Sequence, residues 1–423
     1  MERITLQTIL KSDTAITYDF FTTEGLNKYF SGKSFTIEYP VDISDVPESV
    51  LAVPFVCNVL PIVWLTDSEL ALPELDKDFF KCIQNVKKGY EVMFPESIFA
   101  GEIRPEKIVE NRAQGNGCAA LFSGGLDATQ TLISHLSEKP HLISIWGSDI
   151  RFDNEDGWKA VHDGIAEAAQ RFDLPDVVIR SSFREFDNEV LLSKAYSQQL
   201  KDGWWHGVKH ALALLGHVAP YAYCQGISTV YIASSNCPAD GVVRCASNPT
   251  TDNHVRYAGC QVKHDGFEYS RQDKVRNVVN FAKETGKQIT LHACWQSQSG
   301  SNCCHCEKCY RTIAAILAEG ADPVAFGFYE AKQTLPDMQR YIVGEKALNT
   351  NLAISYWQHI HNRVCCNRSM LQRTEYWKYL KWIAKADFHH LETIKMPLVY
   401  RIRQRMCGFW FYQALHKLKE KIK

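Results

Sequence analysis

One segment predicts the central part of the fold: Leu121-Phe122-Ser123-Gly124-Gly125-Leu126-Asp127-Ala128-Thr129. An apolar run from Cys118 to Phe122 leads into its glycines and predicts a buried strand. Apolar residues at helical spacing, Leu132, Ile133 and Leu136, follow the loop and predict a helix. The stretch therefore predicts a strand, a tight loop and a helix.

The glycines of this loop predict a site for a polyphosphate. Two successive glycines let the backbone adopt positive φ and approach a ligand closely, and the N–H groups that begin a helix attract anions. Asp127 has two open roles, because it can cap the helix or hold a Mg²⁺ that bridges phosphates. We expect the nucleotide contacts to come from Ser123, Gly124, Gly125, Leu126, Asp127 and Thr129.

Strand and helix patterns alternate after the loop and predict an α/β fold with a parallel sheet. The predicted strands are Leu142–Trp146, Val177–Arg180, Val230–Ala233 and Ile289–Ala293. The predicted helices are Trp158–Phe172, Val208–Leu214 and Lys274–Lys283. Right-handed crossovers place the carboxyl ends of all these strands at one edge, where a nucleotide would bind.

Four further residues are predicted to lie at this edge. Trp146 and Ser234 follow predicted strands, and we expect both to contact the nucleotide. Arg271 and Lys274 begin a predicted helix, where their charges suit a negative charge that develops on phosphate. Asp127, Arg271 and Lys274 are the predicted catalytic residues. An ordinary solvated loop charge is the alternative reading of Arg271 and of Lys274.

Composition divides the chain into three predicted regions. A length of 423 residues with 45% hydrophobic content suits two or three globular domains. Residues 1–112 contain short β-rich runs such as Phe35–Tyr39 and Val53–Cys57, which predict a β-rich or α+β accessory domain. Residues 113–322 form the predicted α/β core, and residues 323–423 form a predicted basic helical region.

The C-terminal region is basic although the whole chain carries a net charge of -1. From Ala331 to Lys423, 17 lysines and arginines face only 6 aspartates and glutamates. Such a region suits an acidic partner protein, nucleic acid or the acidic remainder of its own chain. Within it, one face of a predicted helix carries Phe411, Leu415, Leu418 and Ile422.

The sequence also predicts where the protein acts. It has no uninterrupted apolar stretch long enough to cross a bilayer, so we expect a cytoplasmic protein without membrane contact. Among partners, a protein is favoured over nucleic acid, and a homodimer is an open alternative.

The cysteines predict a metal site. Five of the 15 cysteines lie between Cys294 and Cys309, and spacings of two residues let thiolates converge on one ion. Four positions predict a closed, structural Zn²⁺ site: Cys294, Cys303, Cys306 and Cys309. A site with three cysteines and one histidine, drawing on Cys304 or His305, is one alternative. An iron–sulfur cluster is another.

Two motifs in this order resemble a known family. The loop from Ser123 to Asp127 resembles the SGGxDS loop of the PP-loop ATP pyrophosphatases, with Ala128 where that family usually has serine. The cysteine spacing resembles the zinc site of 7-cyano-7-deazaguanine synthase. The resemblance covers about Cys118 to Gly320, and Arg244-Cys245 keeps only part of a segment that lies near the substrate in that family. It implies an adenine nucleotide alpha hydrolase-like core that contains a structural zinc loop.

The resemblance implies an activity and its cofactors. The family uses ATP and Mg²⁺ to adenylate 7-carboxy-7-deazaguanine, a deazapurine, and then joins the acyl group to an amine. The extra regions at both ends are similar to those of large paralogues in anti-phage defence operons, so a partner protein of the same operon is the expected amine acceptor. Three alternatives stay open: a nitrile-forming synthase that uses ammonia, a tRNA-modifying PP-loop enzyme and an inert nucleotide-binding scaffold.

Overall fold

The computed structural model describes residues 1–294, 296–297, 300–344, 347–348, 350–390 and 394. These residues form two compact units. Of the described residues, the first unit comprises 1–270, 290–292 and 300, and the second comprises 271–289, 293–294, 296–297 and those from 301 onward. The helix predicted around Phe411 lies outside the described residues.

The first unit is an α/β structure built on one sheet of eleven strands within the described residues. The strands are β1 (Arg3–Lys11), β2 (Ala15–Thr22), β3 (Phe35–Glu38), β4 (Glu69–Asp76), β5 (Glu102–Val109), β6 (Gly117–Leu121), β7 (His141–Trp146), β8 (Asp176–Ser181), β9 (Ile227–Ala233), β10 (Arg256–Tyr257) and β11 (Cys260–Asp265). Their order is β10-β11-β9-β6-β7-β8-β3-β2-β1-β4-β5. Six of the ten neighbouring pairs are parallel, so the sheet is mostly parallel, as the sequence predicted.

The α-helices of the described residues follow in chain order. They are α1 (Glu48–Leu51), α2 (Val53–Thr66), α3 (Lys77–Met93), α4 (Leu126–His135), α5 (Glu155–Phe172), α6 (Glu189–Leu200), α7 (His210–Gln225), α8 (Pro249–Asp252), α9 (Arg271–Thr285), α10 (Glu307–Ala318), α11 (Ala331–Thr334), α12 (Asn351–Cys366), α13 (Arg368–Leu371) and α14 (Trp377–Leu380). A π-helical turn, Trp205–Lys209, leads directly into α7.

The parallel part of the sheet runs in the order β11-β9-β6-β7-β8, with the central strand β6 first in the chain. From β6 the chain moves outward to β7 and β8, then returns to the other side of β6 to form β9 and β11. The direction of winding therefore reverses between β6 and β9. In open α/β sheets this reversal opens a crevice at the carboxyl ends of the strands.

Alternating side chains fill the two faces of this sheet. Ala119 and Ile143 belong to a core that includes residues of α2 and α7, whereas Phe122 and Leu142 join residues of α4 and α5. A strand repeats every two residues, so neighbouring positions face opposite layers. Both faces of the parallel strands are covered by helices, which explains why β6 reads as an unbroken apolar run.

The apolar run Val53–Cys57, predicted to be β-rich, belongs to a helix instead. Helix α2 has buried side chains from Val53 to Trp64, so it is apolar on every side. Periodicity does not separate a fully buried strand from a fully buried helix, and here the length of the element decides. Gly216 of α7 allows the two helices to approach closely, because a Cβ there would lie 2.6 Å from Cβ of Cys57.

The N-terminal region shares the sheet of the core. β3 pairs antiparallel with β8, with Ile37 opposite Ser181, so the sheet continues across the boundary predicted at residue 112. Residues 1–112 contain five strands and three helices among the described residues, which is an α+β composition. Whether this region folds as a separate domain stays a prediction, as does the boundary at residue 322.

The predicted strand Ile289–Ala293 is not a strand. The place beside β9 is taken by β11, in which Val262 lies opposite Val230. The segment 290–292 instead contacts the glycine loop, where the N–H of His292 donates to the carbonyl of Gly124 at 2.8 Å. A short apolar run indicates burial, but the pairing of strands far apart in sequence decides which run joins the sheet.

The second unit is helical in its described residues, and a buried carboxylate links three of its helical segments. Glu319, just after α10, accepts from Nε2 of Gln272 at 2.7 Å and from Nη2 of Arg363 at 2.6 Å. Gln272 lies on α9 and Arg363 on α12. A buried charge is stable only when it is paired, and this one is. At least one basic residue of the C-terminal region thus binds within its own chain.

We expect Gly147→Ala to lower the free energy of unfolding by about 3 kcal/mol or more. Gly147 follows β7 with φ of +117°, and a Cβ there would lie 1.8 Å from the carbonyl oxygen of Ser181. Gly32→Ala is the matched control, because Gly32 also has positive φ, +78°, but no atom within 4 Å of its Cβ position. The control should lose only about 1 kcal/mol. Denaturant titration measures both, and equal losses would contradict the steric argument.

No helix among the described residues is both long and apolar enough to span a membrane.

Candidate functional site

The strand, loop and helix predicted around Ser123 are present. β6 ends at Leu121, and α4 begins at Leu126. Gly124 between them has φ of +70°, a conformation that costs glycine little, and Gly125 occupies the N-cap position of α4. Because glycine has no side chain that could cap a helix, the first N–H groups of α4 are not covered by their own N-cap residue.

The loop is held in shape from both sides. Phe122 donates its N–H to the carbonyl of Ile143 at 2.8 Å, and the Ser144 hydroxyl donates to the carbonyl of Phe122 at 2.8 Å. Both partners lie on β7. The carbonyl of Gly124 accepts from His292. The backbone that leads into the glycines is therefore fixed before any ligand arrives, which reduces the entropy that a ligand would lose on binding.

The residues predicted to contact the nucleotide differ in the solvent exposure of their side chains. Ser123 is exposed, and Asp127 is partly exposed in the first turn of α4. Leu126 and Thr129 are buried, at 1% and 2% exposure. Leu126 therefore offers a ligand its backbone rather than its side chain. Any hydroxyl contact from Thr129 has to be made from within the packed first turn of the helix.

Trp146, at the end of β7, belongs to a stack of rings. Its ring lies 5.4 Å from that of Trp158 with an interplanar angle of 3°, and the guanidinium of Arg180 lies 4.3 Å from its centre. Its indole N–H donates to the carbonyl of Arg151 at 2.9 Å. Trp146 is thus at the predicted edge, and its packing partners already cover much of its ring. Its contact with a nucleotide stays a prediction.

Ser234, at the end of β9, is buried at 1% exposure. Its hydroxyl donates to the carbonyl of Asn236 at 2.8 Å, and its N–H donates to the carbonyl of Asp265 at 2.8 Å. These bonds shape the loop that leaves β9. Ser234 follows the strand β9, as predicted, and its role toward a ligand stays a prediction.

Asp265 at the end of β11 was not among the predicted site residues, although it ties α4 to the sheet. Its carboxylate accepts from the hydroxyl of Thr131 at 2.8 Å and bonds Nε2 of His135 at 2.9 Å. Nδ1 of His135 bonds Glu138, and its ring stacks on Tyr231 at 3.7 Å. The pair His264-Asp265 is visible in the sequence, but only the sheet shows that Asp265 faces α4, whereas Nδ1 of His264 bonds Asp252.

Arg271 and Lys274 lie in the first turn of α9, which belongs to the second unit. Lys274 is buried at 1% exposure, and the guanidinium of Arg271 lies 5.8 Å from the ring of Tyr356. Arg311 is 4.3 Å from the same ring. The helix start is as predicted within a few residues, and the catalytic roles of Arg271 and Lys274 stay predictions.

The four predicted metal ligands come together in the second unit. The sulfurs of Cys294, Cys303, Cys306 and Cys309 all lie within 4.8 Å of one another. Sγ of Cys303 and Sγ of Cys309 are 3.8 Å apart. A tetrahedral ion with Zn–S bonds of about 2.3 Å separates its sulfurs by about 3.8 Å. The cluster therefore has the size and chemistry to hold a metal ion such as zinc.

Neighbouring residues orient these sulfurs. Cys306 is the N-cap of α10, and its sulfur accepts from the N–H of Cys309 at 3.4 Å. The side-chain oxygen of Asn302 accepts from the N–H of Cys294 at 3.1 Å, while its amide donates to the carbonyl of Gly327 at 3.0 Å. Cys294 is thereby held beside the helix start, although eight residues separate it from Cys303.

The rival ligands point elsewhere. The thiol of Cys304, a residue with φ of +59°, donates to the carbonyl of Asn302 at 3.4 Å. Nδ1 of His305 bonds the carbonyl of Cys303 at 2.6 Å. Among the residues that the structure describes, the group that could hold a metal contains neither Cys304 nor His305. The set of four cysteines is therefore favoured over the set with histidine.

The crowded thiols do not ionise equally. A hydrogen bond from Cys309 lowers the pKa of Cys306 to about 5, while the same bond raises the pKa of Cys309. Burial raises the pKa of Cys303 to about 11. The four thiols lie so close that their titrations are coupled: a thiolate is stabilised by a neighbouring thiol that is still protonated and donates to it.

Comparisons with protein-family models, with curated proteins and with solved structures found no match to this chain.

Proposed function

We propose that this chain uses ATP to activate a carboxylate and then transfers the acyl group to an amine. The observation that carries the proposal is the position of the loop from Ser123 to Asp127. It follows the central strand β6, at the point where the order of the parallel strands reverses. Ligands of open α/β sheets bind at this crevice, and a glycine loop before a helix is suited to phosphates.

The geometry of the loop supports contact with phosphate. Gly124 has positive φ, so the backbone turns there without a Cβ, and the N–H groups at the start of α4 follow directly. Ser123 is exposed and carries a hydroxyl donor. Asp127 lies in the first turn, and its proposed role is to hold Mg²⁺, which would neutralise phosphate charge and allow a carboxylate to approach.

The proposed reaction has two steps. In the first, a carboxylate oxygen of the substrate bonds to the α-phosphorus of ATP, and the bond to the β-phosphate oxygen breaks, so pyrophosphate leaves. In the second, the amine nitrogen bonds to the acyl carbon, the bond to the AMP oxygen breaks, and the amine gives up a proton. Donors from Ser123 and the start of α4 would stabilise charge on the phosphates.

The resemblance to the 7-cyano-7-deazaguanine synthase-like branch supplies the proposed substrates. We take the carboxylate to be 7-carboxy-7-deazaguanine and the amine to belong to a partner protein in anti-phage defence. Ammonia as the acceptor, with a nitrile product, is the first alternative. Modification of tRNA and an inert nucleotide-binding scaffold are the others, and Ala128 in place of the usual serine keeps the last one open.

We also propose that the four-cysteine cluster holds one structural Zn²⁺. Four thiolates fill a tetrahedral shell and leave no position open for water, so such an ion stabilises the fold rather than reacting. The separations within 4.8 Å suit a single ion. An iron–sulfur cluster would place several metal and sulfide atoms between the cysteines and would spread them farther apart.

The function is tested by the exchange of labelled pyrophosphate into ATP. With Mg²⁺ and 7-carboxy-7-deazaguanine, we expect exchange that depends on the carboxylate, and AMP as the product once an amine is present. Mass spectrometry of the products separates the acceptors: a mass shift on a partner protein, a nitrile with ammonia, or modified tRNA. Absence of exchange with every carboxylate would contradict the proposal and favour the scaffold.

A further inference from the structure

A second cluster of reactive side chains lies at the carboxyl end of β9. Cys245 is buried on the loop between β9 and α8, while His206 belongs to the π-helical turn and His210 begins α7. The N–H of Ala246 donates to the carbonyl of His206 at 2.9 Å and fastens the loop to the turn. We call Asp202, His206, His210 and Cys245 the thiol cluster.

Hydrogen bonds fix the protons of both histidines. Nδ1 of His206 bonds the carboxylate of Asp202, which can only accept, so this nitrogen carries the proton and leaves Nε2 basic. Nδ1 of His210 donates to the carbonyl of Trp205 at 3.2 Å, which leaves its Nε2 as an acceptor 4.0 Å from Sγ of Cys245. The imidazole rings stack at 5.8 Å. A thiol, a basic nitrogen and an orienting carboxylate are the parts of a nucleophile with its base.

The charges of the thiol cluster favour a thiolate. Burial of Cys245 opposes ionisation, but its interactions with His206 and His210 prevail and lower its pKa to about 6. Hydrogen bonds to Asp202 and to Cys245 raise the pKa of His206 to about 10. Between these values the thiolate and the imidazolium coexist as an ion pair.

Other titratable and charged groups beside the thiol cluster leave the Cys245 thiolate favoured. From α3, Tyr90 approaches with a raised pKa, caused first by burial, and donates its hydroxyl to the carbonyl of Val208 at 2.9 Å. Arg244, the residue before the cysteine, pairs with Glu96 at 2.9 Å. Cys237 on the same loop has a raised pKa because of burial, followed by the charge of Asp240.

The surroundings give the thiol cluster an open side. The side chain of His206 is 54% exposed, whereas Cys245 lies inward at 5%. The ring of His206, which stacks on His210, is therefore the part of the thiol cluster that faces solvent. The cluster follows the strand that pairs with β6, so it shares the carboxyl edge of the sheet with the loop at Ser123.

We propose that Cys245 is a nucleophile that accepts the acyl group of an activated carboxylate as a thioester. His210, whose Nε2 faces the sulfur, is its base, and Asp202 holds the ring of His206 stacked against that base. This inference rests on the proposed function for the identity of the acyl donor. The thiolate sulfur bonds to the acyl carbon, the bond from that carbon to the AMP oxygen breaks, and AMP leaves. The thiol proton stays on His210. An amine then bonds to the acyl carbon, the carbon–sulfur bond breaks, and the thiolate is again paired with the protonated histidine. The proton that the amine loses passes to solvent.

The thiolate is tested in the unmodified protein by alkylation with iodoacetamide and peptide mass spectrometry. We expect Cys245 to react at least about tenfold faster than Cys237 at pH 7, with a rate that rises with pH to a plateau and has its midpoint near pH 6. His206→Gln should move this midpoint upward, because the thiolate loses its cationic partner. A rate for Cys245 no higher than that of Cys237, or a metal ion bound to Cys245, would overturn the inference.

The acyl transfer is tested with ATP, Mg²⁺ and the carboxylate in the absence of amine. We expect an adduct on the Cys245 peptide that hydroxylamine removes, and Cys245→Ser should keep pyrophosphate exchange but lose the adduct and amine transfer. Cys237→Ser is the matched control and should change neither. Amine transfer by Cys245→Ser at the full rate would overturn the thioester while the proposed function stands. If no carboxylate supports exchange, the proposed function fails, and acetyl phosphate serves as the acyl donor instead. Acetylation of Cys245 by acetyl phosphate would then still support its role as a nucleophile. If Cys245 is not acetylated either, the nucleophile is overturned together with the proposed function.

Discussion

Replacing Asp127 by asparagine should lower the rate of AMP formation about a hundredfold or more and leave the fold intact. The carboxylate lies in the first turn of α4, directly after the glycine loop, and we propose that it holds Mg²⁺ against the phosphates. Asparagine has nearly the same shape but no charge, so it should preserve packing and weaken the ion. Loss of one group that stabilises charge in a transition state costs about 10²–10³ in rate.

The control for this variant is Asp156→Asn. Asp156 is exposed in the first turn of α5, so its replacement also removes a negative charge from the start of a helix on the same sheet. It should leave AMP formation unchanged. Rates are measured as AMP and pyrophosphate released with the carboxylate substrate, and circular dichroism checks the fold. Release of ADP and phosphate, or an unchanged rate in Asp127→Asn, would contradict the proposed chemistry.

Replacing Cys306 by serine should release the metal and lower the thermal midpoint by about 10 °C or more. Structural zinc sites contribute on the order of 10 kcal/mol in small domains, and part of that is lost with one ligand. Cys306 is the N-cap of α10, and serine is itself a favoured N-cap, so the helix start stays satisfied. A loss of stability in this variant therefore reports the metal rather than the cap.

Cys304→Ser provides the comparison for the metal prediction. Cys304 is buried and adjacent, but its sulfur donates to the carbonyl of Asn302 and lies outside the cluster. Serine can keep that hydrogen bond, so metal content and thermal midpoint should stay close to those of the unmodified protein. Elemental analysis and calorimetry measure both quantities. Iron with sulfide, or no stoichiometric metal in the unmodified protein, would show that the zinc assignment is wrong.

The sequence alone determined the elements that depend on near neighbours. The apolar run before Ser123, the two glycines and the helical spacing after them predicted β6, the loop and α4, because each is set by backbone sterics and by a local repeat. The spacing of Cys303, Cys306 and Cys309 likewise predicted their convergence, since two intervening residues limit how far sulfurs can separate. The parallel strands β7, β8 and β9 were predicted on the same basis.

Contacts between distant parts of the chain set the features that no local pattern predicted. The run Val53–Cys57 is a helix because packing surrounds it on every side, and Cys260–Asp265 rather than Ile289–Ala293 pairs with β9. The N-terminal strands join the sheet through β3, although no local pattern marks that pairing. His210 and Cys245 lie far apart in sequence and meet only because α7 begins and β9 ends at the same edge of the sheet. Local sequence restricts the backbone of each segment, whereas the partner of a buried surface is chosen by the packing of the whole chain.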